Sequence, residues 1–266
     1  MARTRRDFNK FDLYEWCVQS PAWQVRFLHA LHGQKPVEFG DDFAGPASLA
    51  RAWVAMGPGY QAVACDREAG PLEHARKRMA EHHDFGMDRL AMRAEDVLSC
   101  KARADVIAAF NFAVCELHTR SELMTYLRNV VFRLRPKGVF VADLYGGERQ
   151  FVPGVTGMEV ETPIGTVLYE WEQRRADPTT ARVVNAIHFE LPDGTRMEDA
   201  FVYDWRLWGV AELREALIEA GFIVSEVYAD YAEAVDGEGA LMTRPIEGDE
   251  ALDLDEDFVV YVAGRV

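Results

Sequence analysis

Over the first half of the chain, short apolar runs alternate with longer stretches whose apolar positions recur every three or four residues; after Gly147 the spacing drops to two. The runs at 37–41, 61–65, 89–93, 105–110 and 139–143 read as five largely buried strands. Between them, 46–56, 68–82 and 118–134 carry the helical pattern, with Gly57 and the Pro136-Lys137-Gly138 turn as stops. Another helix precedes the first strand. Ser20 is its cap, Pro21 takes the first helical position, Trp23, Phe27 and Leu31 share a face, and Gly33 ends it.

Past Gly147, Val167, Tyr169 and Trp171 alternate with Leu168, Glu170 and Glu172, and Asp177-Pro178 turns the chain into a second run at 183–191. Pro192-Asp193-Gly194 leads to a third run, in which Phe201, Tyr203 and Trp205 share a face. The pattern predicts a three-stranded antiparallel insertion. A helix at 211–220, a strand at 222–228 and a last strand at 258–262 follow.

Composition narrows the class. With 266 residues, 49% of them hydrophobic, the chain suits one large α/β domain or one domain with a sizeable insertion. No apolar run approaches the roughly 20 residues of a membrane span, and no apolar segment follows the basic start Ala2-Arg3-Thr4-Arg5-Arg6, so neither a membrane nor a leader is expected. The net charge of −15 opposes binding a phosphate backbone. Eleven acids between Asp230 and Asp257 face the single base Arg244, which reads as a solvated loop. Cys17, Cys65, Cys100 and Cys115 are irregularly spaced, which favours buried thiols over a disulfide framework or zinc site and fits a reducing, cytoplasmic setting.

The most informative stretch runs from Pro36 to Ala50: a strand ending in Asp41-Asp42, a turn around Gly45, then a helix start. The next strand ends at Asp66. Strand, glycine turn, helix, strand and acid form the unit that holds a nucleoside, since the glycine admits the ligand to the backbone and the acid bonds ribose hydroxyls. An adenosine-type cofactor is expected.

In order and spacing these elements resemble class I S-adenosylmethionine-dependent methyltransferases from the first strand to the C-terminus. Asp41-Asp42-Phe43-Ala44-Gly45-Pro46-Ala47 stands at the family's glycine motif, Asp66 at the acid after strand two, Asp96-Val97 at the pair after strand three, Asn111-Phe112 at the end of strand four, and Arg135-Pro136-Lys137-Gly138 at the turn before strand five. Phe43 and Ala47 replace the first and third glycines, a variation resembling a branch of small-molecule methyltransferase-like proteins that also carries the Tyr203-Asp204-Trp205-Arg206-Leu207-Trp208 stretch.

The resemblance implies an α/β, Rossmann-like three-layer sandwich whose mostly parallel seven-stranded sheet has an antiparallel last strand, together with the three-stranded insertion. It divides the chain into an N-terminal helical lid at 1–35, a cofactor-binding domain at 36–147 and 209–266, and an acceptor-shaping insertion at 148–208. The implied cofactor is S-adenosylmethionine, with S-adenosylhomocysteine as product. Its contacts would be Asp41 with Phe43, Ala44 and Gly45 at the methionine end, Asp66 and Arg67 at the ribose, Asp96 and Val97 at the adenine, and Asn111 and Phe112 at the fourth strand. Asp41 could bond the methionine amino group or orient the loop; Asp42 reads instead as a helix cap. Tyr14 and Gln19 are either part of the lid or, for Tyr14, a core aromatic.

For the acceptor the polar candidates are Glu116, Tyr145, His188, Tyr203 and Arg206, each also readable as an ordinary structural residue. Trp171, Tyr203, Trp205 and Trp208 could stack a flat or cationic acceptor, or simply pack a core. No metal is expected, because His29 and His32 share a face with no third ligand and His82-His83 diverge. The expected partner is a small-molecule acceptor, and an edge of the inserted sheet could pair two subunits. Two alternatives remain open: a methyltransferase-like protein that binds without turnover, and an NAD-dependent oxidoreductase, which would lack an intact G-x-G-x-x-G.

Overall fold

The computed structural model describes residues 8–82, 86–229, 244–247 and 257–266. The basic start, His83 and, apart from 244–247 and 257, the acidic stretch lie outside the described residues. Two compact units are present. The larger comprises Pro21–Glu148 with Trp208–Val266, and the smaller the chain up to Ser20 with Arg149–Leu207.

The smaller unit opens with α1 (Lys10–Cys17), a helix that the apolar spacing does not predict. Asn9 caps it: its side chain accepts the Phe11 amide at 2.8 Å, and Asp12 accepts the Asn9 amide at 2.8 Å. Its order comes from tertiary packing of Leu13 and Tyr14 on strands much later in the chain, which local periodicity cannot reveal.

The larger unit then runs α2 (Pro21–His32), β1 (Glu38–Asp42), α3 (Ser48–Ala55), β2 (Gln61–Asp66), α4 (Ala69–His82), β3 (Leu90–Ala94), β4 (Ala104–Ala109), α5 (Arg120–Arg133) and β5 (Leu134–Gly147). The smaller unit resumes with β6 (Gly154–Thr162), β7 (Gly165–Asp177), β8 (Arg182–Glu190) and β9 (Arg196–Arg206). Returning to the larger unit, α6 (Val210–Ala220), β10 (Val224–Tyr228) and β11 (Asp257–Arg265) complete it.

Seven strands form its sheet in the order β10-β11-β5-β4-β1-β2-β3. β1 to β5 are parallel, while β11 runs antiparallel to both β5 and β10, as expected. The order reverses between β1 and β4, so the crevice that such sheets use for ligands opens at the carboxyl ends of these strands. Beneath it the core is tight: the Phe39 and Trp53 rings stack at 4.9 Å, both buried. A Cβ on Gly40 would come within 3.1 Å of Ile107 and 3.4 Å of the Arg133 guanidinium, so glycine lets β1 pass both without displacing either. Among the described residues no helix is long and apolar enough to cross a membrane.

The antiparallel sheet has four strands, not three: β6 pairs along the free edge of β7. β6 carries Gly154 and Gly157 and is exposed along most of its length, so neither of its faces imposes the period-two apolar pattern by which strands are read. A second difference is that β5 begins at Leu134 and passes through the expected 136–138 turn as a bulge, with Lys137 at φ 66°.

Candidate functional site

The turn from β1 into α3 holds the first group of candidate residues. Phe43 (φ 56°), Gly45 (φ 53°) and Ala47 (φ 55°) are all left-handed. Positive φ therefore falls on every second residue from 43 to 47, two of them not glycine, and each side chain held there costs about 1–2 kcal/mol. A Cβ built on Gly45 would meet nothing within 4 Å, so the turn is open at its middle. The Phe43 ring lies edge-on to buried Tyr126, with centroids 5.5 Å apart.

The two neighbouring acids divide differently from the expectation. Asp41, not Asp42, accepts from α3: its Oδ2 takes the Ala50 amide at 3.1 Å, replacing the cap that Ala47 cannot supply. Asp42 faces the other way and is fully buried, its two oxygens bonded to the Arg133 guanidinium at 2.8 and 2.9 Å and to the Tyr126 hydroxyl at 2.9 Å. Successive residues on a strand point to opposite faces, which is why adjacent acids take unrelated roles. Burial pushes the Asp41 carboxyl well up, and the charges of Asp42 and Asp66 add to this.

Asp66 ends β2 beside this turn. Its Oδ2 accepts the Gly45 amide at 2.7 Å and its Oδ1 the Glu68 amide at 2.8 Å, so the acid braces the turn and keeps one lone pair on each oxygen for another donor. Desolvation raises its pKa despite these amides. Arg67 reaches Glu116 at 3.2 Å; burial raises the Glu116 pKa while Arg67 opposes that rise. Asp96 is exposed and forms a turn, with Oδ1 accepting the Leu98 amide at 2.8 Å, and Val97 is buried.

At the end of β4, Asn111 (φ 61°) and Phe112 (φ 60°) are both left-handed, and their amides donate to the Asp143 carboxylate at 2.9 and 2.7 Å. Asp143 is buried on β5, and desolvation raises its pKa to about 7. It was not among the expected residues; the available signal was an acid closing an apolar strand next to the switch point. Tyr145, two residues on, packs edge-on to Phe112 at 4.9 Å. Trp208, expected as an acceptor candidate, is buried, and its indole N–H is shared between the Val114 and Leu117 carbonyls at 3.2 and 3.1 Å, bracing the turn that carries Glu116.

The remaining candidates belong to the smaller unit. Tyr14 packs on Phe201 at 4.9 Å. Gln19 is half-buried, and its Oε1 is buried without a hydrogen-bond partner among the described residues. Trp171, Tyr203 and Trp205 line one face of the sheet, the last two stacked at 4.6 Å, and Arg206 ends β9 half-buried. Trp171 and Tyr203 pack against the apolar cluster around Leu13 and Phe189, so the core reading accounts for much of this set.

His188 is on the opposite, charged face. Its Nε2 is 3.1 Å from Glu172, and its Nδ1 is 2.8 Å from Glu198 and accepts the Asp199 amide at 3.1 Å. It is a member of a surface charge network with Arg174 and Arg196 and is removed from the aromatic face expected to meet an acceptor.

Two side-chain groups have ligand atoms close enough for a metal ion: Asp42 with Cys65 and Cys100, and His188 with Glu198 and Asp199. In each, an arginine already neutralises the carboxylates, Arg133 in the first and Arg174 with Arg196 in the second. That arrangement disfavours a further cation.

The chain matches no protein-family model and no curated protein. Solved structures do match over nearly the whole chain. The amino pentose methyltransferase CalS10 from Micromonospora echinaspora is 17% identical with a TM-score of 0.67, covering 97% of this chain and 98% of its own. The CcbJ methyltransferase from Streptomyces caelestis is 16% identical (TM-score 0.66; 93% and 96% covered). An S-adenosylmethionine-dependent methyltransferase from Clostridium acetobutylicum ATCC 824 is 15% identical (TM-score 0.65; 96% of each covered). At these identities the likeness establishes the fold, which is the Rossmann-like methyltransferase fold.

Proposed function

We propose that the chain is an S-adenosylmethionine-dependent methyltransferase acting on a small-molecule acceptor. The observation that carries this reading is the turn at 43–47, which is left-handed at 43, 45 and 47, open at Gly45 and braced there by Asp66 at the end of the next strand. Residues at the site fit a cationic nucleoside. Gly45 is open, the buried Ser48 Oγ at the start of α3 meets no hydrogen-bond partner among the described residues, and Asp66 keeps lone pairs for two ribose hydroxyls. Burial raises the carboxyls of Asp41, Asp66, Glu116 and Asp143 together. A bound sulfonium or ammonium would relieve the cost of ionising these carboxyls whereas a pyrophosphate would add to it, which favours this cofactor over NAD.

When bound, S-adenosylmethionine supplies a methyl group already activated by its positive sulfur. The protein's own residues then have three tasks. Asp66 and Asp96 orient the adenosine, the 43–47 turn and Asp41 hold the amino-acid end, and Phe112 with Tyr145 excludes water where the acceptor approaches. Glu116 is the carboxylate proposed to take a proton from an acceptor amine, since its raised pKa suits that transfer. An amine-bearing small molecule is the proposed acceptor class, in keeping with the amino pentose substrate of CalS10.

Titration calorimetry with S-adenosylhomocysteine, NAD and the Asp66→Ala variant tests the reading. Binding of the homocysteine nucleoside that Asp66→Ala weakens supports it; preference for NAD, or no binding, overturns it. Release of S-adenosylhomocysteine during turnover with candidate amines separates an enzyme from a binding protein.

A further inference from the structure

Cys65 precedes Asp66 at the end of β2, and Cys100 closes the turn that begins at Asp96. Both are fully buried free thiols, and their Sγ atoms lie 2.8 Å apart. Each is held from its own side. β2 is laddered to β1 and β3, with Cys65 opposite Asp42 and Arg93. Within the turn, the Ser99 and Cys100 amides donate to the Asp96 carbonyl, and the Asn129 side chain donates to the carbonyls of Val97 and Cys100 at 3.0 Å each.

A disulfide bond is about 2.05 Å long, so less than about 1 Å of movement separates these sulfurs from a covalent pair. The competing use of the cluster is a metal ion with Asp42 as third ligand. Both Asp42 oxygens are committed to Arg133, whose charge opposes a cation there. Covalent pairing is the chemistry left to the two thiols.

We propose that Cys65 and Cys100 form a reversible dithiol–disulfide couple that fastens the strand carrying Asp66 to the turn carrying Asp96 and Val97. The oxidant class is a hydroperoxide. The Cys100 thiolate attacks the peroxide oxygen, breaking the O–O bond and leaving a sulfenic acid; Cys65 then attacks that sulfur, forming the S–S bond and expelling the hydroxyl as water. With hydrogen peroxide the two thiols lose two electrons and two protons, and the peroxide becomes two waters. Cys100 suits the attacking role, because its contact with Cys65 and the nearby Arg133 charge favour its thiolate, whereas Cys65, which also lies 3.6 Å from the Glu95 carboxylate, is pushed up.

The bond would close a loop of 36 residues, from 65 through 100. Its effect on cofactor affinity rests on the function proposed above; formation of the bond does not.

The test uses the full chain, as wild type and as a Cys17→Ala, Cys115→Ala variant, treated with hydrogen peroxide, blocked and digested without reduction. The expected result is a linked peptide joining Cys65 to Cys100, loss of two titratable thiols, and a melting temperature raised by about 5 °C or more and restored by dithiothreitol. Cys65→Ser and Cys100→Ser should each lose the link and the shift. Retention of all thiols in the native protein, under conditions that oxidise the unfolded chain, overturns the couple, as does pairing with Cys17 or Cys115 in the wild type. If the link forms and affinity for S-adenosylhomocysteine changes at least threefold, the coupling to the site stands. A link with unchanged affinity overturns that coupling, and absence of binding in both redox states overturns the functional reading while leaving the couple intact.

Discussion

Carboxylates crowd two regions of this molecule and behave in opposite ways. At the strand ends of the larger unit, Asp41, Asp66, Glu116 and Asp143 are wholly or largely removed from water and their pKa values rise. On the charged face of the antiparallel sheet, hydrogen bonds from Arg174 hold the Glu172 and Asp199 carboxyls below their ordinary range. The sheet has satisfied its negative charge with its own arginines. In the larger unit, backbone amides orient Asp41, Asp66 and Asp143, while Glu116 faces Arg67, and burial outweighs these partners.

The sharpest way to break the comparison is to unpair Asp42, the neighbour of Asp41 that is held by a buried arginine. Removing either Asp42 or Arg133 leaves its partner as a buried, uncompensated charge, so Asp42→Ala or Arg133→Met should lower unfolding free energy by about 3–5 kcal/mol in denaturant titrations. Asp66→Ala should leave the fold intact by circular dichroism and weaken S-adenosylhomocysteine binding tenfold or more, equivalent to about 1–3 kcal/mol.

Proton linkage distinguishes the two regions next. The Asp143 pKa rises from 3.8 to about 7 on folding, so the folded state holds this proton more tightly than the unfolded chain. Its stabilising contribution is full below about pH 4 and is lost as pH rises through about 7; Asp143→Asn should flatten that slope. Binding a cation reverses the preference. Affinity for S-adenosylmethionine should therefore rise with pH between about 5 and 7, by up to about tenfold per unit for each proton released, and more steeply than affinity for the uncharged-sulfur product. A flat profile would remove the electrostatic contrast.

Smaller effects sharpen the picture. Ala47→Gly relieves about 1–2 kcal/mol of left-handed strain but loses about 0.5–1 kcal/mol to backbone entropy and about 0.8 kcal/mol to a buried methyl, so stability should stay within about 1 kcal/mol of wild type. Arg174→Ala, on the charged face, should shift the melting temperature by no more than about 2 °C, since exposed ion pairs contribute little.

The order of strands and helices in the larger unit, the reversed last strand and the position of Asp66 were legible in the chain. The elements and Asp66 rest on local signals, namely period, a glycine or proline stop, or an acid at a strand end, while the reversed last strand was what the family resemblance implied. β6 and α1 were not legible, because an exposed edge strand and a short helix packed on distant strands leave weak local patterns. Nor did local patterning show that the Trp208 indole N–H meets the turn at Val114 and Leu117, since that contact spans more than 90 residues.

Residue by residue, the sequence alone determined the succession of strands and helices and the placement of acids and a glycine turn at strand ends, since these follow from short-range patterning; their gathering where β1 and β4 diverge was what the family resemblance implied. Tertiary structure alone decided what each acid does. Asp41 and Asp42 are neighbours in the chain, yet the pleat sends one to a helix nine residues on and the other to Arg133, 91 residues away. Asp143 joins the site from 32 residues beyond Asn111, and Cys65 meets Cys100 across 35. Such pairings depend on the register of strands and the docking of α5, and chain-local patterning carries no record of either.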